Sequence, residues 1–178
     1  RAMTHNPDRV VNLRLFMDHF TRALDIDPRL LRERFEAFYA TQFEQFRSLV
    51  TPDPWAGRLV KTVLEQNLAC VAASNPFWPE SIQRRRLLWA GVDPEHFDWI
   101  SHAGNATACK PDPHYFEEIS QAIRIAPASC LMIGNDPVND MAAKDAGMQA
   151  FLVYSAPGEK SLNMSHALRA PHTHRNIE

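Results

Sequence analysis

The chain has little cysteine, little net charge and no long apolar run. Three cysteines in 178 residues, Cys70, Cys109 and Cys130, form an odd and sparse set. Two of them lie in apolar runs, where a reduced and buried thiol is the default, so cysteine usage points to a cytoplasmic protein rather than a disulfide-stapled one. A formal charge of −2 and an isoelectric point near 6.5 give no electrostatic case for nucleic acid or an anionic membrane surface. No apolar stretch approaches the roughly 20 residues that span a bilayer. Arg1–Arg9 is polar and lacks the apolar segment of a signal peptide, although the chain opens on Arg rather than Met. Asn105-Ala106-Thr107 and Asn163-Met164-Ser165 match the glycosylation triplet by chance in a protein of this kind.

What is present is an ordinary globular composition, 45% hydrophobic and 22% charged, of a length that suits one domain with a modest insertion. From about Asn12 to Val50 the pattern is helical. Leu13, Phe16, Met17, Phe20 and Leu24 recur at three- and four-residue steps. Asp27-Pro28 offers an N-cap followed by proline at the first helical position. Leu30, Leu31, Phe35, Phe38, Tyr39, Phe43 and Phe46 then form a wide stripe, better suited to helix packing than to a ligand box. Thr51-Pro52-Asp53-Pro54 breaks this block. Beyond it helices are expected at about 54–66, 79–90, 113–123 and 138–146. Apolar strands are expected at 68–73, 99–101, 130–133 and 150–154. Such alternation predicts a doubly wound parallel α/β sheet, Rossmann-like, with buried strands. Residues 155–178 show no periodicity, and no internal repeat is found.

Three segments stand at the carboxyl ends of expected strands, where open α/β sheets bind ligands. Ser74-Asn75-Pro76 sets a hydroxyl and turning backbone amides where a phosphoryl oxygen can be held; the plainer reading is a turn that stops a strand. Cys109-Lys110-Pro111-Asp112-Pro113 fixes a lysine between stiff residues, able to neutralise a phosphate and a neighbouring carboxylate; its alternative is a surface lysine at a helix start. Gly134-Asn135-Asp136-Pro137-Val138-Asn139-Asp140 gathers oxygen ligands suited to Mg2+ at a strand end. Here the alternative is that Asp136 caps a helix and Asp140 decorates its first turn. Gly134 argues mildly for the metal, since it permits close backbone approach.

The order of these segments resembles the haloacid dehalogenase (HAD) superfamily. Ser74 falls on that family's second motif, Lys110 on its third and Gly134–Asp140 on its fourth; Pro54-Trp55-Ala56-Gly57 and Ala146-Gly147-Met148 resemble the flanking approach and exit. The likeness runs from about Pro52 to Tyr154. It implies residues 1–51 as a small helical cap, 52–154 as the α/β core and 155–178 as a tail. It also implies a Mg2+-dependent phosphatase acting on a small phosphorylated metabolite through a phospho-aspartate intermediate. Ser74 and Asn75 would bind the phosphoryl group, Lys110 would steady it and the nucleophile, and Asn135, Asp136 and Asp140 are candidate ligands for Mg2+.

The chain departs from the family in two places. The first motif, an apolar strand followed by Asp-x-Asp-Gly-Thr, is missing; Asp25-Ile26-Asp27 has the spacing but lies between helical stripes. Its strand would be central in the sheet, so its loss would leave two costly unpaired edges, and the expectation is a natural chain that continues upstream. The alternatives are a non-catalytic phosphometabolite-binding or interaction module, or another chemistry of the family, phosphomutase or dehalogenase. In the fourth segment Asn135 stands five residues before Asp140 and Asp136 four, which leaves open which of them faces a metal. Arg84-Arg85-Arg86 is expected to be a solvated helix surface, and His172-Thr173-His174 lacks partners for a metal site. The tryptophans are expected to be packing groups, with Trp78 near the mouth of the site. Nothing in the sequence fixes the substrate or the oligomeric state.

Overall fold

A computed structural model describes residues 3–153. The strand end expected at Tyr154, the tail, the His172–His174 pair and the Asn163 triplet lie outside the described residues.

Asp-Pro pairs punctuate the helices. Asp27 caps α2 (Pro28–Thr41) by accepting from the Arg29 and Leu30 amides at 2.7 and 3.4 Å. Asp53 caps α3 (Pro54–Glu65) through the Trp55 amide, and Asp112 caps α5 (Pro113–Ile123) through that of His114. In each case the carboxylate satisfies an orphan amide while proline presets the first helical φ, a device worth about 1 kcal/mol. The helix expected across Asn12–Val50 is divided: α1 spans Asn12–Leu24 and ends at Asp25 in the left-handed region, and α2 is followed by a 3-10 turn, Phe43–Leu49.

α4 (Glu80–Trp89) and α5 fall within a residue or so of expectation. β1 (Val71–Ala72) pairs in parallel with β2 (Trp99–Ile100), and β3 (Leu131–Gly134) pairs in parallel with β4 (Gln149–Leu152). The single sheet expected from the sequence is therefore two separate two-stranded ladders. Among the described residues each strand keeps one edge without a ladder partner, and this explains why β1 is shorter than its apolar run: regular strand needs a neighbour to take its amides and carbonyls. Leu68 and Leu131, read as buried, are 59% and 55% exposed. The helix expected at 138–146 is only a 3-10 turn at Met141–Lys144, because the Asp136 carboxylate holds the Val138 and Asn139 amides and Asp140 turns inward.

Both ladders rest on α5. Tyr115, Phe116 and Ile119 are buried against Ala108, Ala143 and Met148, with Val71 and Ala73 from one side and Met132 and Ala150 from the other. Tyr115 and Phe116 are almost fully enclosed, and burial of each such ring stabilises the fold by about 2 kcal/mol. A second cluster joins the amino-terminal helices to α4, with Phe43 stacked on Trp89 at 5.2 Å between ring centroids.

Candidate functional site at the strand ends

Lys110 is the hub of the site. It is 9% exposed and follows a loop that α5 and Asn75 fix from two sides. The Lys110 amide donates to Asn75 Oδ1 at 2.9 Å, and the Asp112 amide closes the loop on the Cys109 carbonyl at 3.0 Å. The Lys110–Pro111 peptide is cis. The ammonium Nζ then donates to the Ala73 carbonyl, just beyond β1, at 2.9 Å and contacts Asp140 Oδ1 directly. One side chain thus joins the end of the first ladder to the turn that leaves the second.

Asp140 is 5% exposed, and its other oxygen accepts from the Asp136 amide at 3.0 Å. This packing needs a residue without a side chain opposite. A Cβ at Gly134 would lie 2.2 Å from Asp140 Oδ2, a separation no real structure tolerates, so the glycine is required for close approach. A buried carboxylate and ammonium compensate each other here, and removing one partner would strand the other in a poor solvent.

The neighbouring groups are arranged differently from one another. Ser74 is exposed, and its carbonyl accepts the Tyr115 hydroxyl at 2.8 Å. Burial pushes the Tyr115 phenol well up, so it remains a neutral donor. Asn75, expected near the phosphoryl group through its backbone, uses its side chain to hold the lysine loop. Asn135 is exposed. Asp136 Oδ1 accepts from the Val138 and Asn139 amides at 2.9 and 2.8 Å, and its Oδ2 accepts from Asn139 Nδ2 at 2.8 Å. The Asn139 and Val138 donors hold its carboxyl below the ordinary carboxylate value. Burial pushes the Cys109 thiol up to about 11, which leaves it protonated and unsuited to act as a nucleophile or metal ligand.

Oxygen donors of the type a hard cation prefers are present, but they do not close a metal centre. Among the described residues no group of three or more His, Cys, Asp or Glu could hold an ion. Both Asp140 oxygens are engaged, and those of Asp136 organise its own turn. Magnesium at this corner would need ligands beyond these side chains.

Ser74, Asn75, Lys110 and Asp140 are therefore joined through β1, the lysine loop and the acidic turn, whereas Asn135 and Asp136 stand at the rim. Sequence reasoning missed Tyr115 and Asn12. Tyr115 lies inside a regular helical stripe and gives no signal of its own. Asn12 is fully buried at the start of α1, and its amide nitrogen donates to the Ala108 carbonyl at 3.1 Å, supporting the lysine loop from behind. A polar residue at the first position of an amphipathic stripe was the only hint. Trp78, expected near the site mouth, packs on Tyr39 and Phe43. Of the three arginines, Arg84 pairs with Glu80 and Glu95 as a surface residue does, while Arg85 is drawn to the Tyr39 carbonyl at 2.8 Å.

Residues 107–173 match the family model described as HAD-hydrolase-like. The fold is that of the HAD-like hydrolases. A HAD phosphatase from Thermococcus onnurineus superposes with a TM-score of 0.54 at 19% identity over 90% of this chain and 91% of its own. A HAD family enzyme from Bacteroides thetaiotaomicron, solved as an aspartate-to-alanine mutant in complex with magnesium and inorganic phosphate, gives 0.57 at 18% identity, covering 81% and 76%. The β-phosphoglucomutase of Clostridium difficile gives 0.52 at 19% identity over 78% of this chain, which spans only 64% of that enzyme. No curated protein matches the chain in sequence. Among the described residues no helix is long and apolar enough to cross a membrane.

Proposed function

We propose that this chain is the phosphate-binding part of a HAD-type phosphatase acting on a small phosphate monoester. The observation that carries the reading is the Lys110 ammonium, held at the junction of the two ladders between the Ala73 carbonyl and Asp140. A fixed cation at a strand end, beside the exposed Ser74, is arranged to receive a phosphoryl group without reorganising, which is where electrostatic catalysis is strongest. Ser74 and the backbone beyond it bind the anion. Lys110 neutralises it, Asp140 and Asn75 orient Lys110, and Tyr115 anchors the Ser74 carbonyl.

The nucleophile in this reading is an aspartate on a further parallel strand that completes the open edges of the ladders. Its oxygen attacks phosphorus as the ester P–O bond breaks and the alcohol leaves, and water then hydrolyses the phospho-aspartate to release inorganic phosphate. That aspartate would bring the additional carboxylate a magnesium ion needs here, and magnesium would supply charge neutralisation on the phosphate oxygens. The helices before Pro52 act as the cap, and the compartment is the cytoplasm. A second reading is a non-catalytic phosphometabolite-binding module, in which the Lys110 corner holds the anion without turning it over. Phosphomutase chemistry is a third.

The test is phosphate release from p-nitrophenyl phosphate with Mg2+, using the protein as its gene encodes it. Turnover is expected, with kcat/KM falling about 100-fold or more in Lys110→Met, as when a preorganised charge is removed. No release from any simple monoester would favour the binding module. Unchanged turnover in Lys110→Met would overturn the assigned role of the corner.

A further inference from the structure

A cavity of about 690 Å3 opens between the amino-terminal helices and the start of α4, and none of Ser74, Asn75, Lys110, Asp136 or Asp140 lines it. Its size is that of a small-molecule site. Leu13 and Met17 of α1, Tyr39 of α2 and Ile82 of α4 contribute apolar surface. Arg14, Arg32 and Arg85 face Asp18 and Glu36 around it, three positive charges against two negative.

The positive groups are not spent on those acids. Arg14 approaches Asp18 only to 3.7 Å at an exposed position, a pairing worth little in water. Arg85 donates one nitrogen to the Tyr39 carbonyl and stands 4.0 Å from Glu44, so most of its guanidinium donors remain available. Among the described residues the Arg32 side chain, on α2, has no hydrogen-bond or ionic partner. α4 meets the cavity at its start: it follows Pro79 without a side-chain cap, Pro79 and Ser81 line the space, and Glu80 in its first turn pairs with Arg84.

We propose that this cavity binds a small amphipathic monoanion, an apolar body carrying one carboxylate, at a site separate from the strand-end corner. The apolar walls take the body, and the carboxylate lies toward Arg32 and Arg14, where a planar guanidinium can donate two parallel hydrogen bonds. Glu36, one turn from Arg32, opposes the bound charge.

Calorimetric titration with octanoate and with octanol tests this without reference to phosphate turnover. Octanoate is expected to bind at least tenfold tighter than octanol. Arg32→Met, which keeps an apolar stem on an exposed residue, should abolish that preference, and Glu36→Gln should tighten octanoate severalfold. Ala40→Phe, also at an exposed lining position, should block both ligands by filling the space. Equal binding of octanoate and octanol, or unchanged octanoate binding in Arg32→Met with its melting temperature retained, would overturn the proposal.

Discussion

The region around α5 and the amino-terminal helices are built from similar apolar residues but hold together by different means. Around α5, Tyr115, Phe116 and Ala143 are at most 1% exposed, and polar links through Tyr115, Asn75 and Asp140 tie the packed core to one ammonium. In α1 and α2 only Asn12 and Leu31 are buried, while Leu24, Leu30 and, in the following turn, Leu49 are 51%, 44% and 78% exposed. There the cohesion is a chain of ring contacts, Phe16 on Phe20 at 5.2 Å and Phe35 on Tyr39 at 6.0 Å. A dense core wired by hydrogen bonds fixes a site to fractions of an ångström. A shallow aromatic seam gives adhesion with room for a cavity, and it is beside that seam that one opens.

The contrast can be broken most severely at Lys110. Lys110→Met alone should cost about 3–5 kcal/mol by leaving Asp140 buried and unpaired, whereas adding Asp140→Leu should recover most of the loss. Denaturant unfolding of the two single variants and the double variant measures this. Gly134→Ala comes next, at about 3 kcal/mol, since its methyl group occupies the place of the Asp140 carboxylate. A melting temperature equal to that of the native protein would show that the turn is slack rather than tight.

Phe35→Ala should cost about 2 kcal/mol, less than a fully enclosed ring, because it loses contacts to Phe16, Phe20 and Tyr39 at a half-buried position. Hydrogen exchange should then quicken in α1 and α2 and leave α5 unchanged. Quickening in both would mean that the two regions unfold as one unit.

The smallest effect is expected at Asp136. The Asn139 amide, the Asn139 side chain and the Val138 amide hold its carboxyl below the usual 3.8. A depressed folded value means that its contribution to stability is complete above the unfolded value and is lost as pH falls through the folded one, in the acid range below about pH 4. Asn139→Ala should move the Asp136 titration, followed by NMR, up toward the ordinary value. An unmoved midpoint would remove the side-chain amide from the explanation.

Much of this arrangement was legible in the residues. The Asp27-Pro28 cap and the α5 stripe from Pro113 to Ile123 follow from local chemistry that tertiary context did not override. The split into two ladders was not legible, because each apolar run reads as a strand by itself while its pairing is decided by tertiary contacts. What could not be read was direction. Asp136 and Asp140 stand one turn apart in sequence, yet one caps its own loop and the other is buried on a lysine, because Gly134 leaves space on one side only. The same holds for Asn75, whose side chain accepts from the Lys110 amide, and for Trp78, which packs on Tyr39 and Phe43.

Titration of inorganic phosphate into the native protein and Lys110→Met, followed by calorimetry, probes the strand-end corner most directly. Saturable binding of one phosphate by the native chain and at least a tenfold loss in the variant are expected. Equal phosphate affinity in both would contradict the role given to Lys110, and with it the reading of this corner as a phosphoryl site.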